Sequence, residues 1–470
     1  MLPWLVAVAF FMQALDTTIL NTAVPNIALA LQVAPLSMKS VLASYTLSLA
    51  VFIPVSGWMA NRFGTRRVFA GAIGLFALGS LLCGLSRNIG MLVAFRVLQG
   101  CGGAMMVPVG RLTLVRALPK SQLVRAMSFV AVPAMIGPML GPVAGGVITH
   151  YFHWSVIFFL NVPIGLAGLY LVYRYLPDYR QNETPPLDLR GLLLFSSGIT
   201  LLSYVLEVFG EHRLGAAAIL GLLVLSALLL AGYGLNAART AHPLLDLGLF
   251  GIRTFRAAVS GSFLTRIGIS GIPFLLPLLY QVGLGYNAIQ SGLLMMPQAL
   301  AAMSLKITVP AILARFGYRT VLVSNTVLLG LLIMLFAIIG IATPVWLIVV
   351  LSFTYGFFQS LQFTSMNTLV YADVSGEAAA GASTIASTAQ QLSMSFGVAT
   401  ASLVAALFVP DRLHTDAAHM IVGVHKAFLV LGAGTIVSTA VFGGLKPTDG
   451  SAVSQHRADQ ERAEVSAADA

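Results

Sequence analysis

The chain has 470 residues, of which 58% are hydrophobic and 9% charged, against roughly 25% charged in an ordinary soluble domain. That balance excludes a water-soluble globular protein, and two cysteines in so apolar a chain exclude both a disulfide scaffold and a disordered polymer. The net charge of +10 is no sign of nucleic-acid binding by itself, because loop lysines and arginines orient membrane helices.

Crossing a hydrocarbon core of roughly 30 Å takes about 20 apolar residues. Fourteen stretches qualify, at about 4–31, 41–60, 68–86, 90–112, 127–149, 155–176, 191–209, 216–236, 255–280, 290–313, 320–340, 345–371, 381–409 and 423–445. None alternates with the period of two that marks a barrel strand. No cleavable signal peptide is expected, since the first span holds an acidic residue and runs past any cleavage point. The expected fold is therefore an all-α membrane protein of fourteen transmembrane helices. Asn61-Arg62-Phe63-Gly64-Thr65-Arg66 after the second span is echoed by Ala314-Arg315-Phe316-Gly317-Tyr318-Arg319 after the tenth. With the two central spans removed, the echo falls on the equivalent loop of a second six-helix half, a parallel two-half arrangement. The expected divisions are a six-helix bundle over 1–180, two extra helices and a linker over 181–250, a second six-helix bundle over 251–445, and a disordered polar tail over 446–470.

With a cytoplasmic N-terminus, the inner loops collect most of the basic residues, among them Arg62, Arg66, Arg67, Arg111, Arg116, Arg174, Arg315 and Arg319, and few fall outside. The bias predicts both termini in the cytoplasm. Contact with anionic membrane lipids accounts for the basic surface, and no nucleic-acid partner is expected.

Ionisable groups within spans are costly to keep there and are functional candidates. They are Asp16, Arg96, Glu207, Arg266 and Lys306. Gln13, Thr17 and Asn21 form a polar stripe beside Asp16, the pattern of a helix lining a wet cavity. Asp16 reads either as a proton carrier, the favoured reading, or as one half of a permanent ion pair. Arg96 reads as a structural partner of Asp16 or of backbone carbonyls, or as part of the cavity. Arg266 shares a face with Ser262 and Ser270 and is expected in the cavity. Lys306 reads equally as a cavity group or as a side chain snorkelling to the interface, and Glu207 as an interfacial carboxylate. Gln99, Gln359, Gln362, Asn367, Gln390 and Gln391 are expected to add neutral hydrogen-bonding groups to the cavity, and Met295, Met296, Met303, Phe357 and Phe358 adaptable apolar surface. Gly137, Gly141, Pro142, Gly145 and Gly146 lie in one span, where glycines permit close helix approach and the prolines permit bending. No metal site or cofactor is expected, and no HExxH or GxSxG motif suggests an enzyme.

These segments carry a resemblance. LDTTILNTAVP at 15–25, GWMANRFGTRR at 57–67, FRVLQGCGGAMMVPVGR at 95–111, GPMLGPVAGG at 137–146 and WSVIFFLNVPIG at 154–165 resemble the 14-helix drug:proton antiporter family 2 of the major facilitator superfamily, closest to its MdtD-type bacterial branch. The resemblance implies that Asp16 belongs to a first-helix motif associated with proton coupling and Arg96 to a fourth-helix motif that relays protons. It further implies that the glycine-proline helix is the antiporter motif and that Gly57, Asn61, Arg62, Gly64, Arg66 and Arg67 form a gating loop. Asn61 departs from the family's usual aspartate, which leaves closure of that gate resting on Arg62, Arg66 and Arg67. The function so implied is proton-gradient-driven efflux of drugs or other amphipathic small molecules across a bacterial inner membrane by a monomer without cofactor. The alternative is export of small anions such as carboxylates or their metal chelates, which the excess of embedded cations favours.

Overall fold

The computed structural model describes residues 2–118, 120–180, 184–208, 215–304, 308–375, 378–408 and 416–454, and all that follows concerns these. Lipid offers backbone groups no hydrogen bonds, so spanning segments must satisfy their own. The chain does this with helices throughout: α1 Leu2–Ala30, α2 Lys39–Phe63, α3 Thr65–Gly84, α4 Ile89–Ala117, α5 Lys120–Tyr151, α6 Asn161–Tyr175, α7 Leu189–Val208 and α8 Ala216–Arg239, then α9 Arg253–Ser270, α10 Ala288–Ser304, α11 Val309–Leu335, α12 Val345–Leu369, α13 Ala379–Leu407 and α14 Ala417–Val437. Each of the fourteen expected spans falls on one of them. Two are broken. α6 is preceded by a separate turn at Val156–Phe159, and α9 breaks at Gly271 before continuing as Ile272–Leu278, where Pro273 and Pro277 remove backbone donors.

The two halves repeat one packing plan. In the first, α1 lies against α5, α2 against α4, and α3 against both α4 and α6; in the second, α9 lies against α13, α10 against α12, and α11 against both α12 and α14. The sequence echo marks equivalent turns, since Gly64 and Gly317 both adopt left-handed backbone, with φ of 95° and 70°. The halves meet along two seams, α2 with α13 and α5 with α10, while α7 and α8 pair with each other and α7 lies over the α2–α13 seam.

The apolar interior is divided unevenly along the bundle. At the end remote from the chain termini, one continuous core joins residues of both halves, from Ile19, Leu36 and Phe158 to Leu275, Phe336 and Phe428. Toward the terminal end there are two cores, one built from α1–α6 alone and one centred on the second half and the α7–α8 pair. The remote end is also stitched by hydrogen bonds between halves. Gln281 Nε2 donates to the Thr22 carbonyl at 2.8 Å and Ser402 Oγ to the Leu36 carbonyl at 2.9 Å. Glycine permits the closest approaches: a methyl on Gly146 of α5 would overlap the Ala288 carbonyl of α10, and one on Gly292 of α10 would overlap the Pro142 carbonyl of α5. Gly137, Gly141 and Gly145 sit equally tightly on Ala14, Thr18 and Ile19 of α1. The shared apolar core thus joins the halves at the remote end, whereas toward the terminal end their cores are largely separate and the second chamber lies between them.

One expectation is corrected at the C-terminus. Residues 446–454, expected to be disordered, fold back on the second half. Asp449 accepts hydrogen bonds from Arg253 Nε at 2.8 Å, from Arg253 Nη2 and from the Lys446 N–H at 2.8 Å. Burial pushes the Asp449 carboxyl up, but these bonds and the Arg253 charge outweigh it and hold the group below the usual carboxylate range. The rest of that tail lies outside the described residues.

Replacing Gly146 by Val should wedge α5 away from α10 and open the remote end. Cysteines placed beside Leu36 and Gln281 should then react with an impermeant maleimide faster than in the parent protein; equal rates would show that the glycine contact does not hold that end closed.

Candidate functional site: a charged network behind a central cavity

A cavity of about 480 Å³ lies between the halves. Its wall takes Thr17 and Asn21 from α1, Tyr45 from α2, Arg96 from α4, Pro138 and Pro142 from α5, Arg266 from α9, Met295 and Met303 from α10, Gln359, Phe363 and Asn367 from α12, and Met394 from α13. A second chamber of about 390 Å³ lies nearer the terminal end, lined by Gln13, Arg111, Asn367, Ser383, Ser387, Gln390 and Gln391 among others. Asn367 belongs to both walls.

Asp16 lies behind the cavity wall, 2% exposed. Its Oδ2 accepts from Arg96 Nη1 at 2.7 Å, and its Oδ1 accepts from Gln99 Nε2 at 2.9 Å and Asn161 Nδ2 at 3.0 Å. Arg96 Nη1 also donates to Gln99 Oε1 at 2.7 Å. Ser80 closes the ring, accepting from Asn161 at 2.9 Å and Gln99 at 3.2 Å and donating to the Phe158 carbonyl at 2.9 Å. Four helices therefore hold one carboxylate. The Arg96 guanidinium stacks 4.0 Å from the Tyr45 ring centre, and its Nε, buried, has no partner. Arg96 is thus the only member of the ring that reaches the cavity wall. A charge taken out of water is tolerated only when paired and hydrogen-bonded, and here both conditions are met.

The opposite wall differs. Arg266 donates from Nε to Ser262 Oγ at 2.8 Å and from Nη2 to Asn367 Oδ1 at 3.2 Å, and lies 3.9 Å over the Phe363 ring. Among the described residues no carboxylate pairs with it, and none lines either chamber. The cavity therefore carries one neutralised arginine and one free one.

The expected site residues divide by where the helices point them. Asn21, Arg96, Arg266, Gln359 and Asn367 reach the central cavity, where Gln298 Nε2 donates to Gln359 Oε1 at 2.9 Å. Gln13, Gln390 and Gln391, expected in one cavity with them, line the second chamber instead. Two expectations fail. Gln99 is fully buried in the Asp16 ring, and Gln362, also fully buried, faces α11, accepting from Asn325 at 2.7 Å and donating to Thr326 at 2.7 Å. Lys306 lies outside the described residues, as does the side chain of Glu207. At the loop between α2 and α3, Asn61 Oδ1 accepts from Arg116 Nη2 at 2.7 Å. Asp178, which follows α6, accepts from the Arg66 N–H at 3.1 Å and occupies the space beside Gly64. The loop is therefore held by Arg116 and Asp178, two contacts beyond the arginines expected to act alone; Arg62 and Arg67 are exposed, and Gly57 has open space beside it. Ser80, Asn161 and Tyr45 escaped the sequence reading. Asn161 alone gave a signal, as an amide at a helix start inside an apolar run.

Two repeated six-helix halves about a central cavity, with a further helix pair beside them and eleven helices long and apolar enough to span a membrane among the described residues, define a multi-pass membrane transporter. A profile of the Major Facilitator Superfamily matches residues 6–398, and the chain belongs to that superfamily. It is 42% identical over 426 residues to a protein of Serratia proteamaculans named multidrug resistance protein MdtD, covering 91% of this chain and 88% of that one. A protein of the same name from Pectobacterium atrosepticum is 40% identical over 440 residues, covering 93% of each. Among solved structures, a D-xylose-proton symporter superposes with a TM-score of 0.66 at 14% identity over 95% of this chain and 98% of that one. A bacterial homologue of the lysosomal transporter Spinster, solved inward-facing and unoccupied, superposes with a TM-score of 0.63 at 13% identity over 94% and 95%. These two show the shared fold.

Changing Arg96 to Gln strands the Asp16 carboxylate in the bundle, which should cost about 3–5 kcal/mol. The variant should melt well below the parent in detergent, and adding Asp16→Asn should restore most of the loss; no rescue would mean that the two side chains are not an energetic pair.

Proposed function

We infer that this protein is a proton-coupled antiporter that exports amphipathic small molecules across a bacterial inner membrane by alternating access, with both termini in the cytoplasm. The observation that carries the reading is a carboxylate buried at mid-span whose one charged partner, Arg96, forms part of the cavity wall. Protonating Asp16 removes its charge-assisted bonds and leaves Arg96 free to swing from its seat. Cargo filling the cavity presses Arg96 back toward Asp16 and so disfavours the protonated form. Proton and cargo then oppose each other, which is all that exchange requires. With the basic loops inside, the shared core closes the outer end and the second chamber lies on the cytoplasmic side, the arrangement expected of a state that loads cargo. The names carried by the relatives from Serratia and Pectobacterium agree with an exporter of drugs, and methionine and proline walls suit varied apolar bodies.

A second reading, export of small anions such as carboxylates or their chelates, rests on Arg266, a cavity cation without a carboxylate partner. It leaves coupling harder to explain, because an anion beside Arg96 would draw Arg96 from Asp16 and favour protonation, aiding the proton where exchange needs opposition.

The Asp16→Asn variant keeps the volume and removes the titrating group. In everted vesicles it should fold and insert as the parent does yet lose proton-driven accumulation of a cationic dye at least about tenfold. Parent-like, pH-dependent transport by this variant would sink the coupling role of Asp16. Radiolabelled carboxylate supplied to the same vesicles separates the two readings: accumulation of it, abolished by Arg266→Ala while dye is ignored, would favour the anion.

A further inference from the structure

The second chamber has no part in the mechanism above, yet it adjoins the central cavity at Asn367 and differs from it in chemistry. The central wall mixes methionines, prolines and Phe363 with hydroxyls, amides and two arginines and presents mostly apolar surface, whereas the second presents polar and apolar surface about equally, with Gln13, Gln390, Gln391 and the cation Arg111. Arg111 is exposed to the chamber and forms no ion pair among the described residues, its guanidinium lying 5.9 Å from the Phe10 ring centre. The buried Oε1 atoms of Gln13 and Gln391 are unpartnered. The guanidinium of Arg111 and the amide Nε2 groups of Gln13, Gln390 and Gln391 can donate to the oxygens of an acidic group, and the open Oε1 acceptors take its O–H where it carries one, as a phosphate monoester does.

The dimensions add a constraint. Arg111 lies about 22 Å from Arg96 along α4 at 1.5 Å per residue, and Gln13 about 12 Å from Asn21 along α1. A compact molecule fits the central cavity alone, a volume ordinary for drug-sized ligands; only an elongated one occupies both chambers. Its charge must also stay away from Arg96, because an anion there would promote protonation of Asp16 and work against exchange.

We propose that the second chamber is a head-group site, in which Arg111 with Gln13, Gln390 and Gln391 binds the acidic head of an elongated amphiphile whose apolar body fills the central cavity. This rests on the exporter reading and adds to its cargo molecules with an apolar body and an anionic end. The site takes a phosphate or carboxylate; the apolar body supplies the rest of the affinity from the methionine-lined wall.

Equilibrium binding to the full chain in lipid nanodiscs, corrected with empty discs, tests it with three probes: dodecyl phosphate, butyl phosphate and inorganic phosphate. Dodecyl phosphate should bind best, and Arg111→Gln should weaken it about tenfold while leaving a compact cationic dye unaffected. The double variant Gln390→Leu/Gln391→Leu should weaken it in the same direction and serves if Arg111→Gln does not fold. Inorganic phosphate binding as tightly as dodecyl phosphate would mean a free-anion site and overturn the proposal, as would equal losses for dodecyl phosphate and the dye. Proton-driven dye efflux, measured in parallel on the parent, keeps the two levels apart. If efflux persists while the probes ignore Arg111, only the head-group site fails; if the parent neither exports dye nor binds any probe, the exporter reading fails and takes this site with it.

Discussion

A carboxylate in the middle of a membrane-embedded bundle is the constraint around which the first half is organised. Left alone, Asp16 would be too costly to bury. The chain meets that cost with three donors drawn from two helices, Arg96 and Gln99 from α4 and Asn161 from α6, while Ser80 of α3 orients the amides from behind. The arrangement fixes α1, α3, α4 and α6 relative to one another. It also leaves the ring a single exit toward the cavity, through the guanidinium of Arg96.

The second half repeats the helix plan without repeating the charge. Its α11–α12 contact is held by neutral groups, Asn325, Thr326 and Gln362, and among the described residues its cavity cation, Arg266, is bonded only to neutral partners. Among the described residues the buried cavity-side carboxylate thus belongs to one half, and the other presents a positive wall. Movement of one half against the other needs a surface on which backbones can touch, and the reciprocal contacts of Gly146 with Ala288 and Gly292 with Pro142 supply it. The glycines read in the sequence as close-packing points on a bendable helix divide their work: Gly137, Gly141 and Gly145 bind α5 to α1 within a half, and Gly146 meets the other half.

The helices were legible because lipid enforces long apolar runs, and the repeat because both glycine turns need left-handed backbone. The site was legible in its members more than in its geometry. Gln13, Thr17 and Asn21 recur every fourth residue and do share a face, but Asp16, one position from Thr17, is turned about 100° from it and faces the protein interior. Gln359, Phe363 and Asn367 likewise share the cavity face, from which Gln362 is rotated toward α11. Composition names polar residues; only neighbouring helices decide which of them meet water. Ser80 and Tyr45 carried no signal, because a serine or a lone tyrosine is ordinary in membrane helices.

The account stands on Asp16 exchanging its proton in response to what fills the cavity. Infrared difference spectroscopy of the protein in lipid, taken with and without an exported dye, observes that carboxyl directly. Dye addition at a pH where the group is partly protonated should diminish the protonated-carboxyl band, and the band should be missing from the Asp16→Asn variant. A band unchanged by dye, or one that persists in the variant, would contradict it.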